Sequence, residues 1–192
     1  MHLSELLEGE LSALRARSGR DALAFLETGS IRGSTENYQS NDGWSTLTFA
    51  RHVRDHGGSL VSIDLDVHTA DAVLRAHDLR RHVNLIEGHS IEVLAAILAG
   101  RRTSGAVPLD VVLLDSDNSA DLILHEYLIV QHMIRPGGMM MVDDVEPGST
   151  GVVKGHQLVP WLEARAIPYR IERRTGDGYA TGVLIMETPW RS

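Results

Sequence analysis

Four apolar runs in this chain each end in a carboxylate: AFLETG at Glu27, LVSIDLD at Asp64 and Asp66, DVVLLDSD at Asp115 and Asp117, and MMMVDDV at Asp143 and Asp144. Acids gathered on one edge can accept hydrogen bonds from hydroxyl or ammonium groups, or hold a hard metal ion. Gly29 follows Glu27 by two residues, and a glycine there lets the backbone come close to a ligand. Asp64 lies about one βαβ step further on, where an acid commonly takes the two hydroxyls of a ribose. The pairing of Glu27 with Asp64 favours a nucleoside-bearing cofactor. Each acid also has a plainer reading. Glu27 taken alone reads as a strand-end carboxylate capping a nearby amide, and Asp66 as the cap of a helix starting near His68.

These acids share an edge only if the runs before them are parallel strands. The runs are short, aliphatic and separated by helix-like stretches, as buried parallel strands are. In such a sheet every carboxyl end emerges on the ligand-binding edge. Leu3, Leu6, Leu7, Leu11 and Leu14 recur at helical spacing and predict an amphipathic helix over 3–17, within an N-terminal segment 1–20. Strands are expected at about 22–28, 59–64, 83–87, 109–114 and 139–142, with helices from Trp44–Ser45 to Gly57–Gly58, at 68–80, 90–99 and 120–134. Gly100 reads as one helix stop, and Pro136-Gly137-Gly138 as another that turns the chain into the fifth strand. A glycine-rich loop at 147–155 precedes a helix at 156–166. Two strands, 169–173 and 179–186, then join through Thr175-Gly176-Asp177-Gly178. Five βα units closed by a hairpin predict a three-layer, Rossmann-like α/β sandwich with a mostly parallel, seven-stranded sheet. One domain over 1–192 is expected.

Composition narrows the partners. The chain has 192 residues, is 43% hydrophobic and 23% charged, and contains no cysteine, so thiolate chemistry is excluded. No apolar run approaches the roughly 20 residues that span a bilayer. The net charge of −8 and the lack of a basic block argue for a small-molecule partner rather than nucleic acid or membrane. No signal-peptide core is visible, and a cytoplasmic location is expected. The glycines Gly29, Gly33 and Gly43 do not form the dinucleotide fingerprint, which disfavours a nicotinamide oxidoreductase.

The order FLETG, STLTFA, VSIDLD, LIEGHS, VVLLDSD and RPGGMMMVDD resembles a class I S-adenosylmethionine-dependent methyltransferase over roughly residues 22–145. It is similar to the small O-methyltransferase-like branch that includes catechol and caffeoyl-CoA O-methyltransferases and the cephalosporin-hydroxylase-like proteins. The resemblance implies that Glu27, Gly29 and Ser30 sit against the methionine part of the cofactor, assisted by Ser45. It implies Asp64 on the ribose, Leu65 against adenine, and Gly88, His89 and Ser90 along the adenine edge. Asp115 would face the sulfonium. Two departures stand out. The residues 30–42 insert a loop where the family has a short turn, either a lid or a tolerated surface loop. His89 also stands where an acid is common.

The resemblance further places Asp115, Asp143 and Asp144 at the positions that bind a divalent cation in the metal-dependent members. Such carboxylates repel unless neutralised, and hard oxygen ligands suit Mg²⁺, Mn²⁺ or Ca²⁺. Adjacent strand residues point to opposite faces, so Asp143 and Asp144 share an ion only where the chain turns. Solvated acids at a sheet edge are the alternative. The catechol-type lysine, three residues after the first metal aspartate, is replaced by Asn118. Lys154 and His156 are the candidate catalytic bases, whereas mid-helix His125 reads as structural. Tyr38, Trp44 and Trp161 are candidate acceptor-pocket walls. The expected function is metal-assisted O-methylation of a small hydroxylated acceptor. The alternative is a methyltransferase-like protein that binds cofactor or metal without transferring methyl groups. The first helix and terminal hairpin could support a homodimer.

Overall fold

Every residue of β1 (Leu23–Thr28) is buried, as the aliphatic run requires of a central strand. The computed structural model describes residues 2–33, 44–104, 108–145, 153–176 and 179–188. Helix α1 (Leu3–Ser18) buries its five leucines and stops at Gly19, which is left-handed at φ +65°. After β1 come α2 (Ser45–His56), β2 (Gly58–Asp64), α3 (His68–Ala76), a short 3-10 turn (Arg80–His82) and β3 (Asn84–Glu87). Then follow α4 (Ser90–Ser104), β4 (Leu109–Leu114), α5 (Ala120–Val130), β5 (Ile134–Val142), α6 (Gly155–Glu163), β6 (Arg170–Gly176) and β7 (Tyr179–Glu187).

The strands form one seven-stranded sheet in the order β3-β2-β1-β4-β5-β7-β6. β1 to β5 pair in parallel, and β7 runs antiparallel to both β5 and β6. Alternation along β1 divides the core. Leu23 and Phe25 pack with the leucines of α1 and with α2 and α3, while Ala24 and Leu26 pack with α4, α5 and α6. The three-layer Rossmann-like architecture is therefore as the sequence predicts. At the amino edge, buried Asp110 accepts the Ala24 N–H at 2.8 Å and pairs with Arg20 and Arg135 at 2.9 and 2.8 Å.

Several local boundaries differ from those expected. Helix α3 ends at Ala76 because Asp78 turns left-handed (φ +55°) and the Leu79 N–H closes back on the Leu74 carbonyl at 2.8 Å. Helix α4 runs through Gly100, since one glycine in an open helix costs only about 1 kcal/mol. Helix α5 ends at Val130 rather than 134, because Ile134 already pairs with Leu109 in the sheet. Pro136-Gly137-Gly138 lies inside β5 as an irregularity: pairing resumes at Val111 with Met139, and Gly137 takes φ +75°. The terminal hairpin forms as expected, but β6 runs on through Thr175 and Gly176, which the sequence predicts as turn and which instead pair with Ala180 and Tyr179; residues 177–178 lie outside the described residues.

Candidate active site

The sheet order reverses between β1 and β4, and in open α/β sheets the carboxyl ends of the strands at such a switch point are where ligands bind. Past the strand tips the ladder continues: Gly29 donates its N–H to the Ile63 carbonyl at 2.9 Å, and Asp115 to Thr28 at 2.8 Å. Gly29 holds φ +85°, and a β-carbon there would stand 2.3 Å from the Asp115 carbonyl oxygen. No side chain fits this crossing.

One strand over, the Asp64 carboxylate is tied to the turn after β1. Ser30 donates both its N–H (2.7 Å) and its hydroxyl (2.9 Å) to Oδ2. Leu65 follows with 71% of its surface exposed, the one large apolar side chain so exposed among the described residues. Gly88 donates its N–H to the Asp64 carbonyl at 2.8 Å, with His89 exposed and Ser90 buried beside it. Asp66 accepts the His68 N–H at 2.8 Å, a local turn bond, while the N-cap of α3 is Val67 rather than Asp66. Asp66, His68 and Glu87 form an exposed group at the tips of β2 and β3.

Two glutamates lie beneath this surface, on opposite faces of β1. Glu27 is wholly buried and accepts the Ser62 hydroxyl at 2.7 Å and the Ser45 hydroxyl at 3.1 Å. Burial pushes its carboxyl up to about 7, against the Thr46, Ser62 and Ser45 hydroxyls that favour the charged form. Glu27 and Ser45 are thus buried beneath the surface at the strand tips. Glu126 on α5 is the residue the sequence did not disclose. It is fully buried and accepts the Thr28 hydroxyl at 2.9 Å, and burial raises its carboxyl too. Ser90 and Ser116 lie close, but Oε1 lacks a well-formed bond. An acid next to exposed His125 on a helix looks like surface in the sequence, so only its helical spacing from Ile123, Tyr127 and Val130 could have hinted at it.

At the tips of β4 and β5 the three aspartates come together. Asp143 extends the ladder with its N–H 3.2 Å from the Leu114 carbonyl. Asp144 then turns left-handed (φ +55°), and its N–H donates to Asp143 Oδ1 at 2.9 Å. That turn brings carboxylate oxygens of Asp115, Asp143 and Asp144 within 4.8 Å of one another. Lys154 enters the same cluster. Its side chain is buried, its ammonium bonds Asp115 Oδ1, and Asp144 Oδ2 lies 3.8 Å away. Burial alone would pull the ammonium down, but the charges of Asp115, Asp143 and Asp144 outweigh it and hold Lys154 above the usual lysine range. Lys154 is held as a cation here. His156, two residues on, is exposed on the first turn of α6.

Two of the three expected aromatic walls, Trp44 and Trp161, pack in or against the core. Trp44 is buried in the α2-side core, and Trp161 packs edge-on against Tyr127 at 5.1 Å in the opposite layer. Tyr38, and the loop residues 34–42, lie outside the described residues, as do 146–152. A cleft of about 480 Å³ lined by Tyr127, Ile134, Pro136, Met140 and Met186 opens at the amino end of β5, the far edge from Asp143.

A sheet of this order, with its switch point between β1 and β4, matches the class I S-adenosylmethionine-dependent methyltransferase fold. A family described as "Methyltransferase domain" matches residues 40–145, more than half of the chain, and the chain belongs to that family. Solved structures share the fold at low sequence identity. The O-methyltransferase TomG from Streptomyces achromogenes, involved in tomaymycin synthesis and bound to SAM, is 20% identical with a TM-score of 0.68, covering 94% of this chain and 80% of that one. The O-methyltransferase from Bacillus cereus in complex with SAH is 18% identical with a TM-score of 0.67, over 93% and 78%. Cofactor-bound Rv0187 from MTB is 18% identical with a TM-score of 0.70, over 94% and 78%. No curated protein matches the sequence. Among the described residues, no helix is long and apolar enough to cross a membrane.

Proposed function

We propose that this methyltransferase carries a methyl group from S-adenosylmethionine to the oxygen of a small hydroxylated acceptor. The observation that carries the reading is the pairing of Asp64 with exposed Leu65, beside Gly29 at the tip of β1, the strand that separates them from Asp115. A carboxylate suits two ribose hydroxyls, and an exposed leucine suits an adenine face. Gly88, His89 and Ser90 complete the adenine side. Gly29 and Ser30 sit against the methionine part, with Glu27 and Ser45 supporting them from behind. Asp115 places negative charge at the crevice, where a sulfonium gains from it. The similarity to O-methyltransferases supports oxygen as the receiving atom.

Transfer replaces the acceptor's O–H bond with an O–CH3 bond, leaves a neutral thioether and releases the hydroxyl proton. Exposed His156 is the candidate to take that proton, since Lys154 already carries one. For a divalent cation the donor set of Asp115, Asp143 and Asp144 is chemically right. The cluster, however, already contains the Lys154 ammonium, so as arranged it does not fit a metal as well. A metal-assisted reading, which the clustered oxygens favour, requires Lys154 to leave. Calorimetry with S-adenosylmethionine, with Mg²⁺ and with EDTA, tests the reading. Binding in both conditions, with labelled methyl reaching a hydroxylated acceptor, is expected. No binding in either overturns it, and binding without transfer to any acceptor favours the non-catalytic alternative.

A further inference from the structure

We infer that Lys154 is the resident cation of the Asp115–Asp143–Asp144 cluster, filling the place a divalent ion would otherwise take. The inference deepens the proposed function, because it names what neutralises the acids at that site.

The geometry is built rather than incidental. Lys154 is 1% exposed, its ammonium bonds Asp115, and Asp144 lies 3.8 Å away. A lysine so thoroughly withdrawn from water is rare unless it is paired. Its backbone is also held in place. Gly155 packs so tightly on Val145 that a β-carbon there would come 2.3 Å from the Val145 carbonyl oxygen. Val145 directly follows Asp144, and its N–H donates to the Gly182 carbonyl at 2.9 Å. The acid-bearing turn and the lysine-bearing turn are therefore packed together, and the ammonium is delivered to the carboxylates by the fold.

A divalent ion would need the same oxygens at about 2.1–2.6 Å, with the ammonium already bonded to one of them. Two cations cannot share so small a space without strong repulsion. One ammonium against three carboxylates still leaves the cluster negative. A cationic sulfonium is then preferred to the neutral thioether left after transfer.

Mn²⁺ titration, with free ion followed by electron paramagnetic resonance, tests the assignment. Wild type is expected to leave Mn²⁺ free up to about 1 mM, the weak end of carboxylate sites. Lys154→Met is expected to bind it at least tenfold more tightly, roughly 1.4 kcal/mol. Adding Asp115→Asn to Lys154→Met should remove that binding. Wild type binding Mn²⁺ as tightly as Lys154→Met, or a folded Lys154→Met taking up none, overturns the inference. If Lys154→Met does not fold, wild type and Asp115→Asn decide the matter: Asp115-dependent uptake by wild type overturns it, and the absence of uptake supports it. S-adenosylmethionine calorimetry on the same wild-type sample reports separately on the methyltransferase reading.

Discussion

Gly29 lies against the backbone of Asp115 so closely that the tips of β1 and β4 leave no room for a β-carbon between them. The contact sits at the switch point of the sheet, and the proposed cofactor site is built on it. Gly29→Ala combines a left-handed backbone penalty with overpacking against a carbonyl. It should destabilise the protein by about 2–5 kcal/mol, read from urea midpoints, and abolish S-adenosylmethionine binding. Near-wild-type stability would show that the two tips separate easily.

Asp64 receives two bonds from Ser30 and is the proposed ribose ligand. Hydrogen bonds to a charged group contribute about 1.5–3 kcal/mol. Asp64→Ala should therefore weaken cofactor affinity by about 10- to 100-fold in calorimetry. Asp66→Asn, two residues away and exposed, serves as the contrast and should leave affinity nearly unchanged. Equal losses in both variants would remove Asp64 from its role.

Leu65 separates stability from binding. Its side chain is largely in solvent, so Leu65→Ser should change unfolding free energy by less than about 0.5 kcal/mol. Covering a leucine with adenine contributes about 1–2 kcal/mol, so affinity should fall about tenfold. Unchanged affinity would place the adenine elsewhere.

Glu27 makes stability depend on pH. Unfolded, its carboxyl titrates near the ordinary 4.5; folded, burial holds it at about 7. Between those values the folded state keeps a proton that the unfolded state has released. Stability therefore falls as pH rises from about 4.5 to about 7, by about 3 kcal/mol from this group, and levels off above. Glu27→Gln should flatten that slope, narrowing the gap between variant and wild type at pH 5 and favouring the variant at pH 8. Parallel profiles in urea titrations at the two values would show that the buried carboxyl is not the cause.

Much of this was legible in the residues. Buried parallel strands are continuous aliphatic runs, so β1, β2, β4 and β5 and the acids that end them could be read directly. The bulge at Pro136–Gly138 was not, because a Pro-Gly-Gly run looks the same whether it ends a helix or interrupts a strand. Glu126 was missed because a carboxylate on a helix reads as solvated until something covers it.

The sequence by itself determined the layers, the edge on which the acids emerge and the family, because local periodicity and strand-end chemistry are written in consecutive residues. Only the tertiary structure decided what those acids do to one another. Glu27 sinks into the core, Asp144 turns left-handed to join Asp143, and Lys154 arrives from 39 residues beyond Asp115 to lie against it. Burial and long-range charge depend on what packs against a group, and no spacing along the chain records that.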